Sequence, residues 1–135
     1  MKMFVLPASL VAALAFSVAG CGSDSEEKSE ESSTPAQAVS ELHETESVLD
    51  RALVSYRAGK AKEAENAVGD AYLEHFEHVE GPLGDRDHEL MEELEERIST
   101  EIREKMKDGA TVAEVESLVA ETKREIGRAV ETLQK

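Results

Sequence analysis

Residues 111–133 read TVAEVESLVAETKREIGRAVETL. Val112, Val115, Val119, Ile126, Ala129 and Leu133 keep a heptad rhythm, with Thr122 in the one polar place. Apolar residues three and four apart share one face of an α-helix. Thr111 and Glu114 at the head of the stretch make a Thr-x-x-Glu capping box, in which two side chains and two backbone N–H groups satisfy each other. A helix therefore opens at Thr111 and carries an apolar stripe that needs a partner.

Three more helices precede it. The first spans about Pro35 to Ala58, with Val39, Leu42, Leu49, Leu53 and Tyr56 on its stripe and Gly59 as a left-handed stop. The second spans about Lys60 to Glu80, with Ala64, Val68, Ala71, Tyr72 and Val79 inward and Gly81-Pro82 as its end. The third starts at Asp85 or Asp87, either of which can cap it, buries Leu90, Leu94, Ile98 and Ile102, and closes at Gly109. No strand pattern competes. Short connections between helices make neighbours antiparallel, so the expected fold is all-α, an up-down antiparallel four-helix bundle over residues 35–135. The second architecture is a stack of helical hairpins, because Tyr56-x-x-Gly59-x-x-x-Glu63-Ala64 is similar to a tetratricopeptide turn, though no second copy follows.

Upstream of the helices, Met3 to Gly20 is apolar and small apart from two serines, Lys2 supplies a positive start, and Val18-Ala19-Gly20-Cys21 ends the run. The pattern resembles a bacterial lipoprotein signal peptide. It implies cleavage before Cys21 and lipid on that residue, palmitate among its chains. Residues 1–20 are then the signal peptide and residues 21–34 an acidic, serine-rich tether too polar to bury itself. The expected location is the cell envelope, outside the cytoplasm, with a lipid anchor as the membrane contact.

The whole chain holds 15 Lys+Arg against 30 Asp+Glu, for a net charge of −15. Cleavage removes Lys2 and no acid, leaving 14 against 30 and a charge of −16. Such a field repels nucleic acid and attracts cations. The mature aromatics are Tyr56, Tyr72 and Phe76, and there is no Trp, which is too few for a base-stacking surface. Nucleic acid is therefore not an expected partner. No nucleophile elbow, zincin motif, phosphate loop or free thiol is present, so the chain does not read as an enzyme.

On ideal helices, Glu46 sits in the middle of the first stripe and His75 in the middle of the second. Folding the helices back about Gly59 and Leu83 sets Glu46 against His75, with His43, His78, Asp87 and His88 within about two turns. Imidazole and carboxylate suit iron, zinc, manganese or copper(II). A cation site at these six residues is one reading. A structural Glu46–His75 pair that fixes helix register is another, and a pH sensor a third. Leu73, Glu77, Glu80 and Leu83 read as an outer face, able to dock a partner or hold a weak outer cation.

Tyr72, Phe76, Glu77, Glu80, Leu83, Asp87 and Glu95 occur in an order that resembles the extracytoplasmic helical region of bacterial high-affinity iron permeases, over most of residues 36–133. The His43-x-x-Glu46 pair is also similar to the short His-x-x-Glu motif of imelysin-type proteins. The permease's membrane half and its Arg-Glu-x-x-Glu motif are missing; Arg124-Glu125-Ile-Gly-Arg128 departs at the last place. The resemblance implies a lipoprotein that binds iron, or another divalent or trivalent transition metal, and assists uptake beside an iron permease or other transporter. The alternative expectation is a non-catalytic interaction module docking a membrane partner.

Overall fold

The computed structural model describes residues 33–135. The signal peptide, Cys21 and nearly all of the expected tether lie outside the described residues. Within them the chain is all-helical, with four helices and no strand. Helix α1 is Pro35–Arg57. Helix α2 covers residues 61–84, in which a π-helical turn, Tyr72–Phe76, joins Ala61–Ala71 to Glu77–Gly84. Helix α3 covers residues 88–107, where the π-helical turn Arg97–Glu101 joins His88–Glu96 to Ile102–Lys107. Helix α4 is Val112–Leu133.

Capping chemistry fixes most of the ends. Thr34 and Gln37 form a capping box on α1, and Thr111 and Glu114 form the expected one on α4. Asp87, one of the two expected caps, accepts from the Leu90 N–H at 3.1 Å and opens α3. Gly59 and Gly109 take φ of +78° and +74° just past α1 and α3, a conformation that a Cβ would strain. Gly81-Pro82 does not stop α2, which runs on to Gly84 with Pro82 buried inside it.

The helices solve the packing problem in two ways. On α1 the fully or nearly buried residues Ala38, Leu42, Thr45, Leu49, Ala52 and Tyr56 alternate steps of four and three. On α4 Val115, Val119, Thr122, Ile126, Ala129 and Leu133 do the same. That alternation holds a stripe on one face. The two buried threonines satisfy their hydroxyls on the preceding turn, Thr45 on the Glu41 carbonyl at 2.9 Å and Thr122 on the Leu118 carbonyl at 2.8 Å.

On α3 the core residues Leu90, Leu94, Ile98, Ile102 and Met106 are all four apart. In an unbroken α-helix that stride would drift by about 160° from first to last. A π turn, closed by i→i+5 bonds, takes up one extra residue and cancels part of the drift. On α2 the core positions Val68 and Phe76 stand eight apart, and the π turn between them does the same.

One buried core joins all four helices, with Phe76, Leu42, Leu94, Ile98 and Ile126 among its largest members. Charged side chains link the helices around it. Lys123 meets Asp50 at 2.7 Å and Arg57 meets Glu116 at 2.6 Å, so partner numbers rise on α1 as they fall on α4. Ser55 with Glu63 and Glu41 with His75 give the same relation between α1 and α2. Arg103 reaches Glu65 from α3 to α2, and Arg97 reaches Glu125 from α3 to α4. Tyr56 donates to the Ala110 carbonyl at 2.6 Å, tying the end of α1 to the turn before α4.

Candidate functional site

The expected Glu46–His75 pair does not form. His75 instead meets Glu41, Nδ1 to Oε2, at 2.8 Å across α1 and α2, with both side chains partly buried. Two phase errors account for this. The interior of α1 is centred on Ala38, Thr45 and Ala52, and Val39 lies at its edge. Glu41 and Glu46, about 140° apart on a helix, therefore flank the stripe on opposite sides. Glu41 faces α2, whereas Glu46 stays on α1 and meets His43 at 3.4 Å. On α2 the π turn delivers Phe76 to the core position that a regular helix would have given His75, and His75 moves to the flank.

The other expected ligands are also dispersed in role. His43 is exposed, and so is His78. His88 is exposed and pairs with Glu92 on its own helix at 3.2 Å. Asp87 is engaged as a helix cap. Among the described residues, no three His, Cys, Asp or Glu side chains are grouped so as to hold a metal ion. The outer face is divided as well. Leu73 is 58% exposed and Glu77 is exposed, while Leu83 is fully buried in the core and Glu80 is partly buried.

A second group of side chains lies where α2 and α3 meet. Tyr72 stacks on Phe76 with ring centroids 6.2 Å apart. Glu80 Oε1 is buried with no hydrogen-bond partner, although the Tyr72 hydroxyl leans toward the carboxylate. Burial raises the Glu80 carboxyl above its ordinary range; the Tyr72 contact opposes this, and the charges of Glu95 and Glu77 add to it. The Tyr72 phenol is pushed up in turn, first by burial and then by Glu80, Glu95 and Glu77. These groups cost folding energy, because like charges and a desolvated carboxylate share one locality. All four occupy positions that the permease resemblance had picked out in order. Glu77 and Glu80 are legible from spacing as neighbours on an outer face, but the approach of Tyr72 and of Glu95 from α3 depends on tertiary packing.

A contrasting acidic locality is neutralised from within. Arg97, 19% exposed at the start of the α3 π turn, faces Glu93, Glu121 and Glu125 at 3.4, 3.5 and 3.1 Å. Burial works against its charge, but those carboxylates outweigh burial and hold its pKa above the ordinary value.

No helix among the described residues is long and apolar enough to cross a membrane. No protein-family model, curated protein or solved structure matches the chain.

Proposed function

We propose that the chain is a membrane-anchored extracytoplasmic lipoprotein that binds a transition-metal cation, iron first, and assists its uptake beside a transporter. Its domain is read as an up-down antiparallel four-helix bundle, in keeping with the inverse order of the partners on α1, α2 and α4. The observation that carries the cation reading is the buried Glu80 carboxylate, raised and with one oxygen unpartnered, beside Tyr72; Glu77 and Glu95 lie near enough to repel it without closing into a cage of three carboxylates. Phenol and carboxylate are hard oxygen donors, the kind that favour iron(III) over softer ions. A cation there would meet the Glu80 oxygen, relieve the repulsion among the carboxylates and keep water for its remaining positions. The histidines have a minor part at this site, with His75 held by Glu41.

The test is thermal melting of the chain from Gly22 onward with iron(III), gallium(III) and zinc as weak chelates. A ligand that binds only the native state raises the midpoint with its concentration. The expected result is a shift with iron(III) and gallium(III), a visible tyrosinate–iron absorption band, and loss of both in Glu80→Gln and Tyr72→Phe. His75→Ala keeps the shift. No shift at large excess of iron(III), or an equal shift in Glu80→Gln, rejects the site.

A further inference from the structure

Leu73 is 58% exposed in the middle of α2, at the edge of a groove that offers an apolar contact to a partner. An unbroken helix also turns Leu73 outward, about 140° from the buried Val68, and the π turn gives the core to Phe76 while leaving Leu73 outside. Leu73 borders a groove between α2 and α3, lined also by Asn66, Asp70 and Tyr72 on one side and by Ser99 and Arg103 on the other. Gly69 lets the two walls come close; a Cβ there would sit 3.4 Å from Arg103 Nε.

The charge around the groove has one sign. Asp70 lies one turn before Leu73, and Glu74 and Glu77 follow it, all three exposed. The ion pairs along α2 are Lys60–Glu63, Lys62–Glu65, Arg103–Glu65 and His75–Glu41, which leave these three carboxylates to solvent. Arg103, the cation among the lining residues, is already held by Glu65 at 3.7 Å and by the Ser99 carbonyl at 3.2 Å. An apolar centre with a polar, singly charged rim has the layout of a protein-binding surface. We infer that the Leu73 groove docks a protein segment that is amphipathic and basic: an apolar side chain enters beside Leu73 and Tyr72, and flanking Lys or Arg residues meet Asp70, Glu74 and Glu77. Anionic membrane does not fit, because the same carboxylates repel it. The inference shares Tyr72 and Glu77 with the cation reading but does not need a bound cation, and Leu73→Ala, which leaves the Glu80 carboxylate in place, separates the two.

The probe is a synthetic helical peptide carrying leucines on one face and lysines beside them. Its binding to the chain from Gly22 onward is measured by titration calorimetry, and the contact is mapped by amide chemical shifts. Two control peptides replace the leucines by serine or the lysines by glutamate. The expected result is binding of the Leu/Lys peptide alone, with shifts confined to residues 66–77 and 99–103. Leu73→Ala then weakens it about ten-fold, as loss of a central apolar anchor does. Asp70→Lys and Glu74→Lys weaken it several-fold at low salt. The reversals Glu44→Lys and Glu131→Lys, at exposed sites on α1 and α4, change the net charge equally and leave binding intact. Equal binding of the Ser/Lys peptide, equal loss from the two distant reversals, an unaffected Leu73→Ala, or binding to anionic vesicles in place of the peptide would each overturn the inference.

Discussion

Replacing Arg97 by methionine keeps most of the side chain's volume and removes the charge that three carboxylates share. Glu125 is the group that suffers. Its side chain is 14% exposed, and burial already raises its pKa despite Arg97, with Glu93 adding to the rise. Breaking a buried ion pair from one side costs about 3–5 kcal/mol. Glu93 and Glu121 are 43% and 45% exposed and recover hydration, which puts the expected loss near the low end, about 3 kcal/mol at pH 7. For a domain of this size, with about 5–15 kcal/mol of stability, that is a large share. The pH dependence has a definite sign. A carboxyl whose folded pKa lies above its unfolded value of 4.5 contributes full stability below 4.5, and that contribution is lost as pH rises through the folded value. Without Arg97 the folded value rises further, so the deficit of the variant is greatest at neutral pH and shrinks on acidification. Urea unfolding followed by circular dichroism at pH 7 and pH 4.5 measures it, and Glu125→Gln in the Arg97→Met background restores most of the loss. A variant within about 0.5 kcal/mol of the parent at pH 7, the ordinary range for a surface change, would refute the charge argument. So would a deficit that is the same at both pH values, since packing alone would then explain it.

Glu80→Gln raises the melting point at pH 7, and the gain disappears toward pH 4.5, because the folded Glu80 carboxyl is also raised above 4.5 and its penalty grows with pH. Gly127→Ala stabilises by about 0.8–1 kcal/mol, since it lies inside α4 and an added Cβ meets nothing within 4 Å; thermal melting reads it directly. Tyr56→Phe costs about 1 kcal/mol in urea unfolding through loss of the bond to the Ala110 carbonyl. A double-mutant cycle on Glu41→Gln and His75→Ala gives a coupling of about 0.5 kcal/mol or more, whereas Glu46→Gln with His75→Ala is additive.

Helix ends other than that of α2, which runs through Gly81-Pro82, are legible because they depend on local chemistry. Thr111 with Glu114, Asp87 before Leu90, and Gly59 and Gly109 each announce a boundary through a side chain or a backbone preference that acts within a few residues. Rotation about the helix axes was less legible. Ala38, Thr45 and Ala52 hold the centre of α1, but small residues carry little hydrophobic signal, and Val39 at the edge drew the apparent stripe toward Glu46. On α2 the period of 3.6 was the wrong ruler past Ala71, because packing of Phe76 and Val79 in the core selects a wider turn that no local propensity announces. The error falls on His75, whereas Val79 is buried and Asp87 caps α3 as expected. A regular period puts His75 where Phe76 sits and Leu83 on the outer face, although Leu83 is fully buried.

The turn at residues 72–76 behaves as a single-residue insertion absorbed inside a helix. A relative with an unbroken helix would align correctly with this chain only through a one-residue gap at that place, although neither protein has a loop there. Alignment without the gap would match Phe76 to a surface position and misassign each residue as far as Gly84. Deleting Glu74, which is exposed within the turn, should therefore yield a straight and folded helix in which Phe76 keeps its place in the core and Leu73 stays outside.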